Sequence, residues 1–270
     1  MVVLRWRPVP FLVGFFGMLL LLFAAADWQE RALRDALYDR QPHLFFSEAT
    51  ETLQYQRPAQ GLAHNAGRDW DSIQQALEHG ASMIEFDVQY ANGELRVEHS
   101  RRAPIIPRLD EGRTLRSSFN LLPPETEAFI ELKSTGSRTL DRLVSFLDSI
   151  DRRRVFVASG SLSTLRFLDG RFPDVNTVYL LPSSRAANFW NRDDTQFLDG
   201  VSIGSGLFKE HVIRGFKDRG WLVFAGPVNN PETVRDLIRW SVDVINTDDL
   251  RILEALRGAR IPFELFDPRL

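Results

Sequence analysis

Beyond Gly61 the chain alternates short runs rich in β-branched and aromatic residues with stretches of helical apolar spacing, and this constrains its fold more than any other feature. The strand candidates are Leu62–Asn65, Met83–Val88, Phe129–Lys133, Val155–Ser159, Thr177–Leu181, Val201–Gly204, Leu222–Ala225 and Val242–Asn246. Between them lie helical patterns at Asp71–His79, Arg138–Asp148, Ser163–Leu168, Glu210–Arg219 and Glu232–Trp240, and Leu250–Arg257 closes the set. Eight such units predict an α/β fold, a closed (β/α)8 TIM-type barrel over residues 61–270, rather than an open doubly wound sheet. No G-x-G-x-x-G follows the first strand, which argues against a dinucleotide fold. A length of 270 residues suits one such domain.

The first 60 residues read differently. Arg5 and Arg7 precede the uncharged run Pro8–Ala26, whose 19 residues are just long enough to span a bilayer core. Residues 1–26 are therefore expected to be a transmembrane or signal helix. Ala24, Ala25 and Ala26 fit a cleavage site, but the length favours an uncleaved anchor. Either way the basic flank stays cytoplasmic and the barrel lies outside, membrane-anchored, or secreted if the segment is cleaved. Residues 27–60 form a stalk and connector, with helical spacing at Ala32, Leu33, Ala36 and Leu37 and breakers at Pro42 and Pro58.

A formal net charge of −3 gives no pull toward nucleic acid, and the absence of cysteine excludes thiolate metal sites and cysteine nucleophiles. Chemistry must come from carboxylates, lysine and histidine. Side chains alternate along a strand, so Glu85 and Asp87 share one face, and Ile84, Phe86 and Val88 the other. The apolar set belongs against the helices, which directs the carboxylates into the barrel at its catalytic end. The same parity joins Glu131 to Lys133 on the next strand, and His64 ends the first. Inward charges in parallel strands are costly unless they pair or hold a cation, and three carboxylates suit Mg²⁺ or Ca²⁺. A lone Glu131–Lys133 pair would be an ordinary ion pair; the joint arrangement points to a site.

Of the five histidines, His43 lies in the connector, His79 ends a helix and His211 sits within one. His99 differs, because Ala91-Asn92-Gly93 is a hairpin signal that returns it toward Glu85. A three-residue loop sets His99 opposite Glu85; a two-residue Asn92-Gly93 loop pairs it with Phe86, on the other face. A catalytic His99 needs the first register or a bulge. Two imidazoles beside a metal-bound phosphate can act as base and acid in turn.

At these residues the sequence resembles the glycerophosphodiester phosphodiesterase family of the phospholipase-C-like phosphodiesterases. The pieces are AHN at 63–65, ALEHGASMIEFDVQYANGELRVEHS at 76–100, FIELK at 129–133, Pro227-Val228-Asn229, and VDVINTD at 242–248. The family pattern is HR, ExD and HD, then ELK, then V-N and G-x-D-x-I-x-T-D. The resemblance implies that His64 and His99 are the acid/base pair, Glu85, Asp87 and Glu131 the ligands of one divalent cation, and Lys133 a phosphate contact. It also implies a small-molecule or lipid phosphodiester as substrate.

Asn65 stands where the family has its phosphate-binding arginine, Ser100 replaces the aspartate after the second histidine, and Gly226 replaces a tryptophan. Arg68, Arg101 and Arg102 are candidates for the missing guanidinium. Twenty residues separate His64 from Glu85, a short loop similar to that of sphingomyelinase-D-type phospholipases and menorin-like proteins. Hydrolysis, cyclic-phosphate formation and a non-catalytic binding barrel all stay open.

Overall fold

The computed structural model describes residues 59–98, 113–189 and 193–257. The apolar segment 8–26, the stalk and connector up to residue 58, and His99 lie outside the described residues. Among the described residues no helix is long and apolar enough to cross a membrane.

Strands β1 (Gln60–Ala63), β2 (Met83–Ala91), β3 (Glu94–Val97), β4 (Glu127–Leu132), β5 (Val155–Ser159), β6 (Asn176–Leu181), β7 (Gly200–Ile203), β8 (Leu222–Ala225) and β9 (Val244–Thr247) form one sheet. Its order is β1-β9-β8-β7-β6-β5-β4-β2, and β1 pairs with β2 to close the ring. All of these pairings are parallel; only β3 runs antiparallel, on β2. Helices α1 (Trp70–Glu78), α2 (Leu115–Phe119), α3 (Ser137–Leu147), α4 (Leu162–Arg171), α5 (Ala186–Phe189), α6 (Glu210–Lys217), α7 (Pro231–Arg239) and α8 (Leu250–Ala255) fill the crossovers and follow β9. This is the expected TIM-type barrel.

Two apolar layers result from strand parity. Leu62, Met83, Phe129, Phe156, Val178, Leu222, Phe224 and Val244 fill the barrel interior, with Phe224 packed 5.1 Å from Phe129 and 5.6 Å from Phe156 between ring centroids. Ile84, Phe86, Val88, Ile130 and Val157 face outward and pack with helix residues such as Ile73, Leu143 and Leu168. Aromatic rings plug the middle of the barrel, so polar side chains collect above them, at the carboxyl ends of the strands.

The first expected strand stops two residues early. Asn65 sits at φ 54°, in the left-handed region that asparagine tolerates, and this turns the chain out of the sheet after His64. A single helical turn, Ala66–Arg68, then leads to α1, whose N-cap Asp69 accepts a hydrogen bond from Ser72 N at 2.7 Å. Gly67 makes this turn possible: a Cβ there would lie 2.3 Å from the Phe86 ring and 2.6 Å from Glu85 O.

The hairpin takes one of the two registers open to the sequence. β2 and β3 pair Ala91 with Glu94 and Val88 with Val97, which is the two-residue loop. Asn92 at φ 51° and Gly93 at φ 86° supply the two positive φ angles of a type I′ turn, and this outweighs the three-residue alternative. Glu98 N donates to Asp87 O at 2.8 Å, so Glu98 stands opposite Asp87 and continued pairing would set position 99 against Phe86.

Candidate active site

β1 and β9 deliver the first half of the site. Ala63 pairs with Thr247, and His64 N donates to Thr247 O, so His64 and Asp248 leave the two strands side by side. Their side chains meet at 2.7 Å, His64 Nδ1 to Asp248 Oδ1. Asn229 fixes the carboxylate: its Nδ2 donates to Asp248 Oδ2 at 2.9 Å, and its Oδ1 accepts from Asp248 N and Thr247 Oγ1, each at 2.9 Å. With Nδ1–H given to the carboxylate, Nε2 of a neutral His64 is left as a base, and it faces Glu85 Oε2 at 3.8 Å. Burial pulls the His64 pKa down, but the bond to Asp248 and the charges of Glu85, Asp248 and Asp87 outweigh it and raise the pKa.

β2 and β4 deliver the other half. Glu85, Asp87 and Glu131 share the inward face, and one oxygen from each lies within 4.8 Å of the others. Glu85 is 3% exposed; its Oε2 accepts from Asn65 N at 3.0 Å and from Asn246 Nδ2 at 3.4 Å. Lys133 Nζ binds Asp87 Oδ1 at 2.8 Å and also pairs with Glu131. Burial, then the charges of Asp87 and Glu131, push the Glu85 pKa up to about 7 against the opposing pull of His64.

This donor set fits a divalent cation. Three carboxylates face one ammonium, so the half-desolvated rim is richer in acidic groups than in cationic ones. Six or more oxygen ligands are the preference of Mg²⁺ and Ca²⁺, and the rim supplies oxygen. Glu85 also implies a pH effect. Its folded-state pKa lies above the ordinary 4.5, so without cation the folded protein holds this proton more tightly than the unfolded chain, and stability should fall as pH rises from 4.5 to about 7. Melting temperatures in EDTA across that window should decline in the wild type and be flatter in Glu85→Gln; equal slopes would contradict this origin.

The structure brings His64, Glu85, Asp87, Glu131 and Lys133 together on one rim. Asn65 is beside them, with Nδ2 at 3.1 and 3.0 Å from the two His64 ring nitrogens, and its backbone holds Glu85. Arg68 turns away to bond Asp69 and Ser72, while Arg101 and Arg102 lie outside the described residues. His79 bonds the Gln75 carbonyl at the end of α1, a structural role. Gly226 has a packing reason for lacking a side chain, since a Cβ would meet Asn246 Cβ at 2.4 Å and Asn246 O at 2.6 Å. Asp248, Asn229 and Asn246 were not expected as site residues. Asp248 and Asn246 belong to VDVINTD, and the adjacency of the first and last barrel strands is the signal that could have found them.

No family model and no curated relative matches the sequence. Solved structures do match. A glycerophosphodiester phosphodiesterase from Thermotoga maritima superposes with TM-score 0.60 at 20% identity, over 74% of this chain and 97% of that one. One from Agrobacterium tumefaciens gives 0.57 at 19%, over 73% and 98%. An Oleispira antarctica phosphodiesterase in complex with the product sn-glycerol-3-phosphate gives 0.58 at 16%, over 76% and 98%. This chain has the barrel fold of the glycerophosphodiester phosphodiesterases, the family its sequence pieces resemble.

Proposed function

We propose that this protein is a divalent-cation-dependent phosphodiesterase acting on a glycerophosphodiester or lysophospholipid-type phosphodiester. The observation that carries the reading is the His64–Asp248 pair, whose imidazole Nε2 faces Glu85, one of three clustered carboxylates that share a barrel rim with Lys133. Glu85, Asp87 and Glu131 would hold the cation, which supplies positive charge to the non-bridging phosphate oxygens. Lys133 donates to one of those oxygens. His64 Nε2 takes the proton of the attacking hydroxyl, and Asp248 holds the ring and stabilises the imidazolium that results. Water as nucleophile gives hydrolysis; a substrate hydroxyl gives a cyclic phosphate. The apolar run before residue 27 would tether the barrel near lipid head groups.

Departure of the alkoxide needs a second acid. His99, which the resemblance assigns, serves if the chain bulges after Glu98; Glu98 itself stands opposite Asp87 on the site face and accepts a bond from Gln89. We expect His99→Ala to lower kcat by about 10²–10⁴-fold and Glu98→Gln to lower it far less. The opposite ranking would transfer the role to Glu98. The function itself is tested by assaying glycerophosphodiesters and lysophospholipids with Mg²⁺ or Ca²⁺ and resolving linear from cyclic product. Tight binding without product from any of them would favour a binding barrel.

A further inference from the structure

Lys133 contacts Asp87 and Glu131, two of the three carboxylates that would hold the cation. Glu85, the third, has His64 Nε2 at 3.8 Å as its neighbour instead. An ammonium and a divalent ion cannot both take the full share of the same oxygens. Lys133 is suited to yield. Its backbone is anchored, N donating to Val88 O at 2.9 Å, while a flexible four-carbon stem carries the charge at the edge of the cluster, with its side chain 19% exposed.

Resting on the metal reading above, we infer that Lys133 is an internal counter-ion that competes with the divalent cation for Asp87 and Glu131, and that cation binding releases its ammonium to the phosphate of the substrate. Two consequences follow from the shared oxygens. The lysine weakens cation binding, because its bonds to both carboxylates must be loosened first. It also couples the two ligands: a phosphodiester that accepts the released ammonium recovers part of that cost, so phosphate tightens cation binding and the cation tightens phosphate binding by the same factor.

The test is calorimetric titration of MgCl₂ and CaCl₂ into EDTA-stripped, full-length protein at fixed pH, with and without dimethyl phosphate as an inert phosphodiester. Lys133→Met should bind cation about tenfold or more tighter than wild type, Lys133→Gln should do likewise, and Lys133→Arg should stay near wild type. Dimethyl phosphate should tighten cation binding by a clearly larger factor in the wild type than in Lys133→Met, where only its direct attraction to the cation is left. Circular dichroism identifies any variant that fails to fold, and the two neutral variants provide independent readings. Wild-type binding that is equalled or exceeded in Kd by both folded neutral variants would overturn the competition, whereas a wild type that takes up neither cation would instead remove the metal reading on which it rests.

Discussion

Replacing His64 with alanine is expected to lower kcat/KM by about 10²–10⁴-fold while leaving the fold intact, the usual range for loss of a positioned general base. The side chain is partly exposed at the rim and its polar bonds go to Asp248 and Asn65, so its removal leaves the aromatic plug below undisturbed. Asp248→Asn should likewise lower turnover, because both carboxylate oxygens accept bonds and an amide can accept only one of them, which disturbs the tautomer that leaves Nε2 as the base. It should also move the acidic limb of the pH–rate profile downward, since Asp248 is among the groups that raise the His64 pKa. Steady-state rates for both variants, with circular dichroism as the folding control, check this; wild-type turnover in His64→Ala would remove the assigned base.

Neutralising Asp87 should separate cation binding from folding. In the wild type, free cation at about a hundred times its dissociation constant should add about 2.7 kcal/mol of stability. Asp87→Asn should lose most of that gain, and turnover should fall with it. The cation-free melting temperature should change little: less repulsion with Glu85 and Glu131 is set against the lost ion pair to Lys133. Melting curves in EDTA and in saturating Mg²⁺ or Ca²⁺ decide the matter. An unchanged cation-dependent shift in Asp87→Asn would exclude Asp87 as a ligand.

Much of the architecture was legible because it depends on patterns that act locally. β5 and β8 fall at their expected bounds, and the parity of Ile84 to Val88 put Glu85 and Asp87 on the correct face without knowledge of any partner. What was not legible depends on contacts between distant parts of the chain. His64 and Asp248 are 184 positions apart and meet only because the ring closes through β1 and β9. The carboxylate cluster followed from strand order, but the division of labour within it did not: Lys133 takes Asp87 and Glu131 and leaves Glu85 to His64. The hairpin register was a choice between two turns, and it was decided by backbone geometry at Asn92 and Gly93, where one residue more or less reverses every side chain beyond the turn. Likewise, Gly226 looked like a loss relative to the family's tryptophan, yet close approach of Asn246 leaves no room for a side chain.

The most direct measurement follows product release from a glycerophosphodiester by purified full-length protein, first stripped with EDTA and then given Mg²⁺ or Ca²⁺. Release is expected to be negligible after stripping, to return with added cation, and to be absent in His64→Ala under the same conditions. No release with either cation across glycerophosphodiester and lysophospholipid substrates, or equal release by wild type and His64→Ala, would contradict phosphodiester cleavage at this rim.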